Sequence, residues 1–183
     1  MRRNAEDYSP AFKRHRSNSA DQEEEPARSL MAAQNKRTAS SAIPTIHRFL
    51  LLNVEPLFAF SGAIYLIFQA SEYTSTLSRG IVTSLQPDSD FIYTQLLGGW
   101  LHFAFTEAVV LRLVDDFRVW RLLCLGMLLS DVAYCHSCAQ AVGGWSEWLV
   151  LGHWTRDDWT VAITTWPFVL ARLSIATGIG LKG

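Results

Sequence analysis

Three cysteines in 183 residues, with no apolar leader ahead of them, are too few to suggest a disulfide framework. An excess of one charge is missing too: 16 Lys+Arg stand against 17 Asp+Glu, which gives no reason to expect a nucleic-acid partner. The first 42 residues hold no apolar h-region, so a secretory signal is not expected there. Their "DQEEEP" run does not suit an acid-poor mitochondrial presequence either. No P-loop, dinucleotide fingerprint, Ser-His-Asp order or HExxH helix occurs, and "GIG" near the end is too short for a phosphate loop. "CHSC" (Cys135, His136, Ser137, Cys138) is half a metal site: His136 points away from the two cysteines, and no second Cys/His pair follows. Neither a metal nor an organic cofactor is therefore expected. A charge-free run of 18 residues is also lacking, so hydropathy alone does not decide between a soluble and a membrane bundle.

What is present falls into two parts. Residues 1–42 carry eight basic and six acidic side chains among many Ser and Ala, the composition of a disordered arm of mixed charge. Its "KRHRSNS" reads as a solvated tail, with a phosphorylation or partner segment as the alternative. Residues 43–183 hold all seven tryptophans and four apolar segments of bilayer-crossing length, roughly 43–69, 91–114, 119–142 and 159–181. A soluble helix shows a polar face recurring every three or four residues. "LFAFSGAIYLIFQ" and "VAITTWPFVLARLSIATGIGL" are instead apolar nearly all round. The expected fold is all-α, a polytopic membrane four-helix bundle behind a disordered N-terminal arm.

Charge asymmetry points the same way. Four spans put the arm, the turn near Asp115 and the C-terminus on one side, which collects thirteen of the sixteen basic residues. The positive-inside rule then expects both termini in the cytosol, with an endomembrane as the expected location. Trp120, Trp145, Trp148, Trp154 and Trp159 fall near span ends, as in an aromatic belt, whereas Trp100 lies well inside the second span. Arg112 is expected to snorkel to the headgroups.

Each span is interrupted by ionisable groups: Glu55, then His102 and Glu107, then Asp131 and His136, then Arg172. Charges inside a bilayer are costly and normally face a protein interior or a wet cavity. At 100° per residue, Glu55, Ala59, Gly62 and Gln69 share one face of the first span. Gln95, Gly98, Gly99, His102 and Thr106 share a face of the second, with Glu107 on its shoulder. Cys124, Asp131, Cys135 and Cys138 line the third, and Thr165, Arg172 and Ala176 the fourth. By depth, Glu55, His102, Glu107, Asp131 and Arg172 fall in one band of the bundle. Pro56 frees a backbone carbonyl beside Glu55 and is expected to kink the helix.

Two readings of this band follow. Arg172 as a counter-ion holding the helices in register is a structural role that needs no chemistry. One arginine cannot neutralise three carboxyls, however, so at least one is expected to carry a proton. An acid in an apolar pocket is suited to proton transfer. The expected catalytic groups are Glu107, Glu55, Asp131 and His102. Glu107 or Glu55 would donate the proton and Asp131 would stabilise developing positive charge, while Arg172, Gln95 and Trp100 bind substrate. A scaffold subunit or a small transporter is the alternative, since intramembrane acids also line ion paths.

"IPTIHRFLLLNVEPLFAFSGA", "TQLLGGWLHFAFTEAVVLRLVDDFRVWRLLCLGMLLSD" and the final "ARLSIATGIGL" resemble a family of small fungal integral membrane proteins classed as a domain of unknown function. The most specific part is Glu107–Arg112 followed by Asp116–Arg121, and the resemblance runs over about residues 43–182. It implies a fungal four-span protein and no particular reaction. In size the plan is similar to membrane-embedded sterol isomerases and terpene cyclases, without a shared motif. The expected partners are membrane lipid, a lipophilic small molecule of secondary metabolism and other membrane-bound pathway enzymes. The expected activity is an acid–base isomerisation or cyclisation.

Overall fold

The structure, a computed structural model, describes residues 37–182, and every regular element among them is helical. The four spans are α2 (Thr45–Phe68), α4 (Asp90–Leu113), α5 (Phe117–Ala141) and α7 (Arg156–Thr177), of 24, 24, 25 and 22 residues. At about 1.5 Å per residue each covers the roughly 30 Å of a bilayer core. Shorter helices α1 (Ala39–Ala42), α3 (Ala70–Leu77) and α6 (Trp145–Trp148) join them. Only 17–33% of each apolar window is buried within the chain, so most of that surface faces outward. Phe68, Leu113 and Leu129 are at least 75% exposed, which water would not tolerate over four helices but lipid does. The chain is a multi-pass integral membrane protein.

Local chemistry sets the span ends. Asp116 accepts from the backbone N–H groups of Arg118 (2.7 Å) and Val119 (3.2 Å), opening α5 straight after the short turn from α4. Thr155 caps α7, with Asp158 returning a bond to the Thr155 N–H to complete a capping box. Gly178, at φ +82°, closes α7 short of the expected residue 181, in a left-handed conformation that suits glycine. The connection between the first two spans contains α3.

Helices α2 and α4 pack along each other, as do α5 and α7. The two pairs meet where α2 touches α7 below Glu55, and again where α3 reaches α7. There Arg79 Nε donates to Asp158 at 2.9 Å. The end of the bundle that carries residues 38–44 and 178–182 is called the terminal end here, and the opposite one the loop end. A continuous apolar core seals the terminal end, including Ile43, Leu51, Leu111, Trp120, Phe168 and Ile175.

Two expectations change at that end. The arm expected over residues 1–42 lies outside the described residues as far as residue 36, but residues 38–42 are folded. Ala39 and Ala42 are buried in the core, and the Ala39 N–H donates to Asp115 O at 3.1 Å. Two alanines offer so little apolar surface that composition alone assigned them to the arm. Trp120 lies near a span end as expected but packs inside the chain at 1% exposure, its Nε1 donating to Val114 O at 2.7 Å and satisfying the end of α4. At the loop end Trp145, Trp148, Trp154 and Trp159 interlock through successive ring contacts of 5.5, 5.5 and 4.8 Å.

Candidate functional site

Two of the spans depart from α-helical geometry at the depth of their carboxyls. Leu50–Val54 of α2 and Thr106–Val110 of α4 are π-helical turns, and they touch each other. Such turns interrupt helices most often at functional positions. In α2 the cause is readable. Pro56 has no N–H for the carbonyl four residues back, that of Leu52. Arg112 supplies the missing donor from α4, with Nη2 bonding Leu52 O and, at 2.8 Å, Asn53 Oδ1. Arg112 thus bridges the ends of α2 and α4 while its side chain stays exposed.

Glu55 follows the first π turn and Glu107 lies within the second, so the paired turns bring both carboxyls to Arg172 of α7. Arg172 Nη1 donates to Asp131 Oδ2 at 2.7 Å. Its Nη2 donates to Glu107 Oε1 at 2.7 Å and also to Glu55 Oε1. The guanidinium lies 5.0 Å from the centre of the Phe103 ring, a cation–π contact. All four spans thus contribute one ionisable group to one cluster. Arg172 and Glu107 are fully buried, while Glu55 and Asp131 each retain 9% exposure.

The cluster does not balance as written. Three carboxylates around one guanidinium carry a net charge of −2, and Glu55 Oε2 and Glu107 Oε2 are buried without a hydrogen-bond partner among the described residues. Glu55 Oε1 and Glu107 Oε1 accept from the same nitrogen, Arg172 Nη2, so the two carboxyls stand side by side. Two adjacent carboxylates repel each other, whereas an acid and a carboxylate can share a hydrogen bond. A proton held between them satisfies an orphaned oxygen and removes one negative charge.

Above the cluster, toward the loop end, is a cavity of about 750 Å³ lined by all four spans and α3. Glu55 and Asp131 reach its floor, whereas Glu107 and Arg172 lie behind them. The walls are mainly aromatic, with Phe58, Trp100, Phe103 and Phe168, and Tyr73 and Tyr134 add hydroxyls nearer the loop end. Tyr73 meets Trp100 edge-on at 5.4 Å. Trp100 also lies flush against Gly62, where an added Cβ would fall 2.1 Å from its ring.

Of the residues expected at the site, Glu55, Glu107, Asp131 and Arg172 come together, and Gln95 and Trp100 line the cavity. His102 does not join them: it is exposed on the outer side of α4, away from both cluster and cavity. The small and polar residues of α4 suggested one stripe, but the face turned inward is centred about 100° away, on Leu96, Trp100 and Phe103. Phe103, Tyr73 and Arg112 were missed. His136 accepts from Trp145 Nε1 at 3.0 Å, and the described residues contain no cluster fit to hold a metal ion.

A family model described as a domain of unknown function, DUF7704, matches residues 40–182. The chain belongs to this family. No curated protein and no solved structure matches it. The DUF7704 region begins inside α1 and ends beyond α7, so it takes in the cluster, the cavity and the sealed terminal end together.

Proposed function

We propose that this DUF7704 protein is a membrane-embedded acid–base enzyme that isomerises or cyclises a lipophilic metabolite. The observation that carries the reading is the position of Glu55: its carboxyl belongs to the buried cluster around Arg172 and also reaches the floor of a large aromatic cavity. Pockets of this size, apolar with a few convergent polar groups, suit small-molecule ligands.

In this reading Glu55 delivers its proton to an alkene or an epoxide oxygen of the substrate. The Glu55 O–H bond breaks as a C–H or O–H bond forms, leaving positive charge on carbon. The faces of Phe58, Trp100 and Phe103, with the Asp131 carboxylate, stabilise that cation. A neighbouring carbon then returns a proton to a carboxylate, so the product has the composition of the substrate and no reductant is consumed. Glu107 holds the proton shared with Glu55, and Arg172 keeps the acids in place. The positive-inside distribution favours cytosolic termini in an endomembrane, with membrane-bound enzymes of the same secondary pathway as partners.

The test is metabolite profiling of the producing organism with the chromosomal copy replaced by Glu55→Gln or Asp131→Asn. The expected result is loss of one lipophilic product and accumulation of a precursor of equal mass, with normal amounts of folded protein. Full product formation by both variants overturns the reading.

A further inference from the structure

We propose that Ser40 is a phosphorylation site that controls the seal at the terminal end. Its hydroxyl and its backbone N–H both donate to one carboxylate: Ser40 Oγ to Asp115 Oδ2 and Ser40 N to Asp115 Oδ1, each at 2.7 Å. Ser40 and Asp115 are exposed, so the latch lies on the surface. What it fastens is buried. Ala39, Ala42 and Ile43 are at most 1% exposed and belong to the core beneath Arg172. Lys182 N donates to Ala42 O at 2.9 Å, tying the end of the chain to the same segment.

The sequence before the latch is "KRTAS", with Lys36 and Arg37 four and three residues ahead of Ser40. A basic pair at that distance is what an acidic substrate groove of a serine/threonine kinase recognises. The γ-phosphoryl group of ATP would pass to Ser40 Oγ, its P–O bond to the β-phosphate breaking as the new P–O bond forms. The hydroxyl proton and ADP are released. The phosphoserine has about −1.5 to −2 of charge and no hydroxyl donor.

The groups facing it decide the outcome. Asp115 stands in contact, while Asp116 pairs with Thr38 through the backbone and turns its carboxylate to the start of α5. Arg48 is close enough to favour the Asp115 charge, and Arg37 and Arg118 neighbour Ser40 and Asp116 along the chain. Phosphorylation removes the hydroxyl donor and sets a dianion at hydrogen-bond distance from the Asp115 carboxylate, so the latch becomes repulsive and α1 leaves the turn between α4 and α5. The core under the Arg172 cluster then loses Ala39, Ala42 and Ile43 as its cover. This inference stands apart from the proposed reaction, since it concerns docking of α1 and not proton transfer.

The experiment uses the full chain in lipid nanodiscs, treated with a basophilic serine/threonine kinase and ATP. Mass spectrometry locates the phosphate, and amide hydrogen exchange is followed over residues 39–43. Phosphate on Ser40 with about tenfold faster exchange at Ala42 and Ile43 is expected. Ser40→Ala and Ser40→Glu separate charge from the lost hydrogen bond: the Glu variant should exchange faster than the Ala variant. Absence of phosphate at Ser40, unchanged exchange after its addition, or equal exchange in the Ala and Glu variants overturns the proposal.

Discussion

Arg172 Nη2 donates to Glu107 Oε1 at 2.7 Å, and neither side chain is more than 1% exposed. A buried charge stripped of its partner costs about 3–5 kcal/mol. Arg172→Leu leaves three carboxyls facing one another, and its unfolding temperature in detergent should fall steeply. Arg172→Lys keeps the charge but not the planar fork that reaches Asp131 and Glu107 from different nitrogens. It should melt between the wild type and the leucine variant.

The three carboxyls should separate by role. Glu107 lies behind the cavity wall, so Glu107→Gln is expected to weaken folding and product formation together. Glu55→Gln and Asp131→Asn keep shape at the cavity floor, and should abolish product while thermal stability stays near that of the wild type. Parallel stability and product measurements on all three test this; equal loss of stability in each argues for a structural cluster alone.

Arg112 and Pro56 are coupled through one carbonyl. Arg112→Ala leaves Leu52 O without its side-chain donor, at about 0.5–1.5 kcal/mol for one hydrogen bond. Pro56→Ala restores an N–H that can take over. A double-mutant cycle by thermal denaturation should therefore show Arg112→Ala costing less in the Pro56→Ala background. Additive effects would mean that Arg112 acts elsewhere.

Gly62 and Gly99 both line the cavity but differ in room. Gly62→Ala puts a methyl into the Trp100 ring and should cost about 1–3 kcal/mol as the indole shifts. An added Cβ at Gly99 meets nothing within 4 Å, so Gly99→Ala should be neutral or slightly stabilising. Melting temperatures of the two purified variants, with Trp fluorescence for Trp100, give the comparison.

Acid should loosen α1. The Ser40 hydroxyl bond holds the Asp115 carboxyl below its usual range, helped by the Ser40 N–H and by Arg48. A depressed carboxyl stabilises the fold above its unfolded value of about 3.9, and that contribution is lost as pH falls through the folded value. Exchange at Ala42 and Ile43 should be flat from neutral pH down to about 4, after correction for intrinsic rates, and rise below it. Asp115→Asn should remove that rise.

The spans, and the stripe of ionisable groups in them, were legible because hydropathy, length and residue type are properties of each segment alone. Span ends came within a few residues, missing chiefly where Gly178 stops α7 early. Glu55, Glu107, Asp131 and Arg172 could be grouped by depth, since a charge in lipid has few places to go. Depth does not say which way a side chain turns. His102 shares the depth of Glu55 yet faces outward, and Phe103, one residue on, faces the guanidinium.

By itself, then, the sequence determined that this chain crosses a membrane four times and must bury one arginine with three carboxyls. Tertiary structure decided that one guanidinium holds all three carboxyls, that Glu55 and Asp131 alone of these reach the cavity, and that residues 38–42 close the terminal end of the bundle. The reason is geometric. The π turns, and the arginine that satisfies a proline-freed carbonyl sixty residues away, arise from contacts between helices, and no local pattern of polarity encodes them.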